Sequence, residues 1–218
     1  MNAQKLKPYF PVLTLLALVV LVGGLDPSFL RPANLLIVAA DVSALFVMAL
    51  GLTFVIYIGG IDLATQSVAS MTTVLVTIWL NSFGIGAAVI ALAIGAAFGV
   101  LSGYVSIKTK IPTFIATLAI GGIAYSVARF ASGERGVSMI ETERSFSLGW
   151  LFGYSGPVPN EIICAGVLLL VALFIERKTV FGRVLKAVGA AEHAAIASGV
   201  RVERYKIAAF AICGLLAA

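Results

Sequence analysis

Residues 63–107 run for 45 positions without one charged side chain. That run limits what the chain can fold into. It is about twice the ~20 apolar residues that cross a bilayer as one helix. It must therefore make two crossings with a turn between them, and the turn-forming NSFG at 81–84 divides it. Lipid offers no partner for a backbone N–H, so the crossings must be helices or a closed barrel, and runs of this length and apolarity read as helices. Hydrophobic residues make up 61% of the chain and charged residues 11%, with a mean hydropathy of +1.08. A soluble domain has about 45–50% and about 25%.

Further apolar runs cover 8–25, 35–58 (interrupted by Asp41), 111–128 and 158–175, the last with Glu161 at its mouth. The run at 207–218 opens a seventh. The fold expected is all-α, a polytopic transmembrane helical bundle of about six complete spans plus the start of a seventh. It forms one domain over 1–218. Cys164 and Cys213 both sit inside apolar runs, which predicts two buried core cysteines rather than disulfide or zinc chemistry. Lys5 and Lys7 precede the first run and no small-residue cleavage site follows, so that run reads as an uncleaved first span.

The charges test this count. With a cytosolic N-terminus, the inner segments 1–7, 59–62, 108–110 and 176–206 hold eleven of the fifteen Lys/Arg. The outer ones hold Arg31, Arg135 and Arg144, with Arg129 near the outer end of the fifth span. This is the inside-positive bias of membrane proteins. Tyr9, Tyr57, Tyr104 and Tyr205 then fall at the inner interface and Trp79 at the outer one. Topology thus explains the pI of 9.4, and nucleic-acid binding is not expected. Gly95, Gly99 and Gly103 recur every fourth residue, a spacing that lets helix backbones approach closely in lipid.

The segment 176–206 is the longest polar interruption, with seven Lys/Arg and three Glu. Within it, 184–197 reads as a short amphipathic helix, lying on the membrane surface or gripped by a soluble partner. No G-x-x-x-x-G-K-[ST] occurs, so the chain does not cradle nucleotide phosphates. Its spans carry no Ser/His, His/Glu or paired-Asp constellation, so no catalytic or metal site is expected.

Two acids stand in or beside the spans. Asp62 follows Ile58-Gly59-Gly60-Ile61, where the paired glycines break the helix. Asp62 suits an N-cap of the next helix, and the break equally suits a translocation path, where unwound backbone meets a polar solute. Asp41 lies within the second run at a cost of roughly 2.5–3.5 kcal/mol at a span centre, with function and interfacial solvation both open. Thr113 and Thr117 are four apart and share a helix face with Phe114 beside them. They either line a path or glue helices together.

The motifs DPSFL…N, LGLTFVIYIGGIDLA, PTFIATLAI and TVFGRVLKAVGAAEHAAIASGVRVERYKI, in this order, resemble the permease subunits of bacterial ATP-driven (ABC) importers of ribose, xylose, galactose and related solutes. The resemblance runs from about Leu25 to Ala218. It implies a permease dimer in the cytoplasmic membrane. Each copy is docked by a cytosolic ATP-binding subunit that carries the ATP and Mg, and a periplasmic or extracellular solute-binding protein delivers the sugar. The segment 176–206 would be the cytosolic loop with the coupling helix, matched at Glu192, Ala194, Ala195 and Gly199. The small alanines would let that helix enter a partner's cleft. Glu192 would cap or pair with a basic residue there, and Gly199 would end the helix in a left-handed turn. The chain itself would need no cofactor. Solute would move by alternating access past Asp41, Gly59, Gly60, Asp62, Thr113, Phe114 and Thr117, entering near the outer segment 132–159 with Glu134, Glu141 and Glu143.

The sequence also departs from the family. Gly189 is followed by Ala190 and Ala191 where Gly-Asn is usual, and Gln66 stands where a glycine is common. His193, the one histidine, reads as a solvated helix residue. Family members continue with further spans, so the expectation is a partial, C-terminally truncated permease domain. Two other readings stand beside it. One is an ion-coupled secondary carrier using Asp41 and Asp62. The other is a non-transporting fragment whose unfinished seventh run cannot bury its backbone.

Overall fold

The computed structural model describes residues 10–138 and 148–218. Lys5, Lys7, Tyr9, Glu141, Glu143 and Arg144 lie outside the described residues. The fold is all-α apart from one small hairpin. Helix α1 spans Phe10–Leu25, and a 3₁₀ turn, Pro27–Leu30, follows it. That turn is capped by Asp26, whose carboxylate accepts from the Ser28 N–H at 2.9 Å. Next come α2 (Pro32–Asp41), α3 (Ser43–Tyr57), α4 (Thr65–Phe83), α5 (Gly86–Thr109) and α6 (Thr113–Ser132). The hairpin pairs Tyr154–Ser155 (β1) with Val158–Pro159 (β2). The last four helices are α7 (Asn160–Lys178), α8 (Val180–Ala190), α9 (Glu192–Ala197) and α10 (Val202–Ala217).

The uncharged 45-residue run divides at the expected turn, where Gly84 takes φ +53°. The run 35–58 does not form one straight helix. It breaks at Val42 into α2 and α3, bent by 47°. Ser43 donates its hydroxyl to the Ala39 carbonyl at 2.8 Å, a back-bond that bends helices where it competes with the ladder. By length and composition, α5 and α6 can each cross a membrane, and the bent pair makes a third crossing if it counts as one. Thr, Ser, Gln and Asn dilute α4, while Glu161, Glu176, Arg177 and Lys178 charge the ends of α7.

The segment 176–206 departs most from expectation. It interrupts the hydrophobicity but not the helices: α7 runs into it, α8 and α9 fill it, and α10 starts within it. The single helix expected at 184–197 is two, parted at Ala191, whose backbone is extended (φ −159°, ψ 88°). The earlier start comes from Thr179, whose hydroxyl caps α8 by accepting from the Gly182 N–H at 3.2 Å.

The seventh run is a packing hub. Helix α10 lies against α5 and α3 and buries Ala209, Phe210, Cys213, Gly214 and Ala217. The Gly95/Gly99/Gly103 face lies here. A methyl on Gly99 would overlap the Phe210 carbonyl, and one on Gly103 would sit 3.0 Å from the Ile207 Cα. Two clusters form the core. One joins Phe54, Val55 and Ile58 of the α3 end to Leu185 and Val188 of α8 and Phe210 of α10. The other joins Val68, Met71 and Leu75 of α4 to Ala124 and Ala128 of α6. Cys213 is fully buried, whereas Cys164 is only half-buried.

Candidate functional site

The site grows from the broken helix at 58–64. After Tyr57 the ladder closes with Gly60 N–H donating to the Val55 carbonyl at 3.0 Å. Gly59 takes φ +72°, a conformation that costs glycine nothing and most other residues 1–2 kcal/mol. The chain then leaves the helical ladder over residues 60–62, and its N–H groups need acceptors. The Ile61 N–H donates to Thr113 Oγ1 at 2.9 Å and the Leu63 N–H to Thr117 Oγ1 at 3.0 Å. Four residues of a helix rise about 6 Å, so two threonines one turn apart serve the 61 and 63 amides in turn. Gly121, one further turn along that face, lets the chain approach: a methyl there would lie 3.2 Å from Ala64 Cα.

Asp62, between the two amides, serves the next helix. It is buried, and its carboxylate accepts from the Ala64 N–H at 2.8 Å, closing the first turn before α4. Behind it, Thr65 Oγ1 and Cys213 Sγ are 3.5 Å apart.

The second half of the site is α8 and α9. Phe181, Leu185 and Val188 fall on one face of α8 and pack on the end of α3. Phe181 stacks on Tyr205 with ring centroids 5.9 Å apart and meets Phe54 at 6.4 Å. Gly189 sits so close to the Tyr57 carbonyl that a methyl would overlap it, and Gly182 bears likewise on the Glu176 carbonyl. Lys186 pairs with Glu176 and lies 5.9 Å from the Tyr57 ring centroid. That ammonium holds the Glu176 carboxyl below its usual range, helped by Arg177 at 3.4 Å. The amphipathic segment thus buries the apolar face of α8 in the protein.

A cavity of about 1050 Å³ opens between the break, the start of α6, α9 and the start of α10. Gly59, Gly60, Thr113 and Phe114 line it, and Glu192 faces it from α9. Lys110, Arg201 and Arg204 make it basic. The seven residues expected along a path therefore separate. Four border this cavity, whereas Thr117 and Asp62 are buried behind the break. Asp41 is exposed at the α2–α3 bend, the far end of α3. The 15 residues of α3 put about 22 Å between the two aspartates' ends of that helix.

The coupling residues separate too. Within the chain, Lys206 Nζ donates to Glu192 Oε1 at 2.7 Å. Ala195 is buried against the chain's own core while Ala194 is exposed. Gly199 takes φ +81°, and the Val200 N–H closes the turn onto the Ala195 carbonyl at 3.1 Å. Sequence reasoning missed Gly182, Gly189, Lys206 and Phe210. The seven-residue spacing of the first two, which sets both beside Leu185 on the buried side of the helix, was the available signal.

Residues 34–218 match the family model described as branched-chain amino acid transport system / permease component. Among curated proteins, the chain is 34% identical over 212 residues to the ribose import permease protein RbsC of Escherichia coli K12, covering 94% of this chain and 65% of that protein. It is 35% identical over 223 residues to the RbsC of Bacillus subtilis 168, covering 99% and 66%. The L-arabinose ABC transporter permease protein AraH of Azospirillum brasilense is 32% identical over 197 residues, covering 87% and 56%. The chain thus spans just under two thirds of the ribose permeases' length. No solved structure matches it. With GGID, PTFIATLAI and the FGR-to-Lys206 segment all inside the matched region, the chain belongs to the branched-chain amino acid transport system / permease component family.

Proposed function

We propose that this chain is the membrane-spanning permease part of an ATP-driven (ABC) importer, moving a sugar or related small polar solute across the bacterial cytoplasmic membrane by alternating access. The observation that carries this reading is the seating of α8 and α9 on the broken end of α3. Any force on those two helices from the soluble side bears directly on unwound backbone beside the cavity. The sugar permeases among the relatives supply the solute class.

ATP and Mg belong to a separate cytosolic ATP-binding subunit docked on α8 and α9, where Ala194 and Gly199 remain exposed. A solute-binding protein delivers the sugar on the opposite face. The N-terminus is cytosolic, and six spans plus α10 cross or enter the bilayer, with the α2–α3 pair as one broken span. The apolar residues exposed on α1 and on the outer face of α6, among them Leu118 and Phe130, meet lipid or a second permease copy. An ion-coupled carrier would need Asp41 and Asp62 to share a site, and they flank opposite ends of α3.

The test is uptake of labelled ribose and arabinose into proteoliposomes holding the intact permease with its ATP-binding subunit and solute-binding protein. Uptake of one sugar that requires ATP is expected. Uptake driven by an imposed ion gradient without ATP would overturn the proposal.

A further inference from the structure

Glu192 opens α9 and Lys206 belongs to the first turns of α10, yet their side chains meet at 2.7 Å across 14 residues of chain. The two share no other direct ion pair among the described residues. Lys206 is 22% exposed and Glu192 43%, so the pair sits half out of water at the rim of the cavity. One turn further along α10 stands Phe210, which is buried. Its ring lies 3.4 Å from the position a methyl on Gly60 would take, and its backbone bears on Gly99. A continuous run of contacts therefore leads from α9 through Lys206 and α10 to the glycine break. It is separate from the direct seating of α8 on Tyr57.

We propose that Lys206 is a positioning residue: its ion pair with Glu192 ties α9 to α10, so that a shift of α9 turns Phe210 against Gly60 and moves the break. This rests on the coupling role proposed above. It assigns Glu192 a partner inside the chain instead of a contact on the ATP-binding subunit. The pair sits at the rim of the cavity, where an ion pair adds little to folding. Its effect is expected on the transmission of movement, as a several-fold change in coupling.

The experiment uses the intact permease assembled with its ATP-binding subunit. It compares E192Q, K206Q and the swapped pair E192K/K206E for subunit co-purification, ATPase rate and solute taken up per ATP. The expected result is that both single variants keep the ATP-binding subunit and its hydrolysis but lose on the order of fivefold in uptake per ATP. The swap recovers most of it. Three results would overturn the proposal: single variants within twofold of the unaltered protein, a swap no better than its parents, or loss of the ATP-binding subunit by E192Q and not by K206Q. If the unaltered permease holds no ATP-binding subunit, the coupling role fails first and the tether falls with it.

Discussion

Thr117 shows how much one hydroxyl can hold in place. It accepts from the Leu63 amide and donates to the Phe114 carbonyl at 3.2 Å, fully buried. Thr117→Val keeps the shape and leaves a part-buried N–H without its acceptor, a cost of up to about 1–3 kcal/mol. Thr117→Ser keeps the acceptor. The valine variant of the intact permease should therefore melt lower, by roughly 2–4 °C per kcal/mol at this chain length, and the serine variant close to the parent. Equal melting of the two would mean that the amide is not held by this oxygen. The pairing of Thr113 with Thr117 was visible in the sequence as a shared helix face. Their partner was not, because it lies 54 residues upstream and only the folded chain brings the two segments together.

Among the elements, α8 depends on two kinds of contact, glycine packing and a charge pair, and they respond differently to pH. The Glu176 carboxyl titrates below its ordinary value of 4.5 because Lys186 lies beside it. A lowered folded value means that the unfolded chain binds protons more readily in that window. The stabilisation is therefore complete above about 4.5 and is lost as pH falls through the lowered value. Protection factors of the amides in 180–189, corrected for the intrinsic exchange rate at each pH, should fall on acidification through that window. Glu176→Gln should lower protection already at neutral pH and flatten the dependence. An unchanged profile in the glutamine variant would place the acid-sensitive contact elsewhere. The sequence showed one helix in this segment, at 184–197, but not its earlier start or its division at Ala191. An amphipathic pattern reports that one side is apolar, but what that side packs on is settled by the α3 end, far away in sequence.

For the molecule as a whole, the proposed topology puts segments 132–159 and 176–206 on opposite sides of the membrane, parted by α7. With Cys164 and Cys213 replaced, a cysteine at Glu134 should react with an impermeant thiol reagent added outside intact cells, and one at Ser198 only after the membrane is opened. Reaction of both from outside would remove α7 from the set of crossings, and the six-span count with it.

Helical membrane class, the division of the 45-residue run and the glycine face of α5 follow from the chain's own pattern, because lipid forces backbone hydrogen bonds to be local and leaves small residues as the signal for close packing. The break after Tyr57 was equally legible, since paired glycines followed by an aspartate have few helical uses. What the break does was not. The threonine acceptors, the seat of α8 on the Tyr57 carbonyl and the Glu192–Lys206 pair join residues from 14 to 132 positions apart. Contacts at that range depend on how helices cross. Helix crossing is set by side-chain packing over many residues at once, which no local run of sequence encodes.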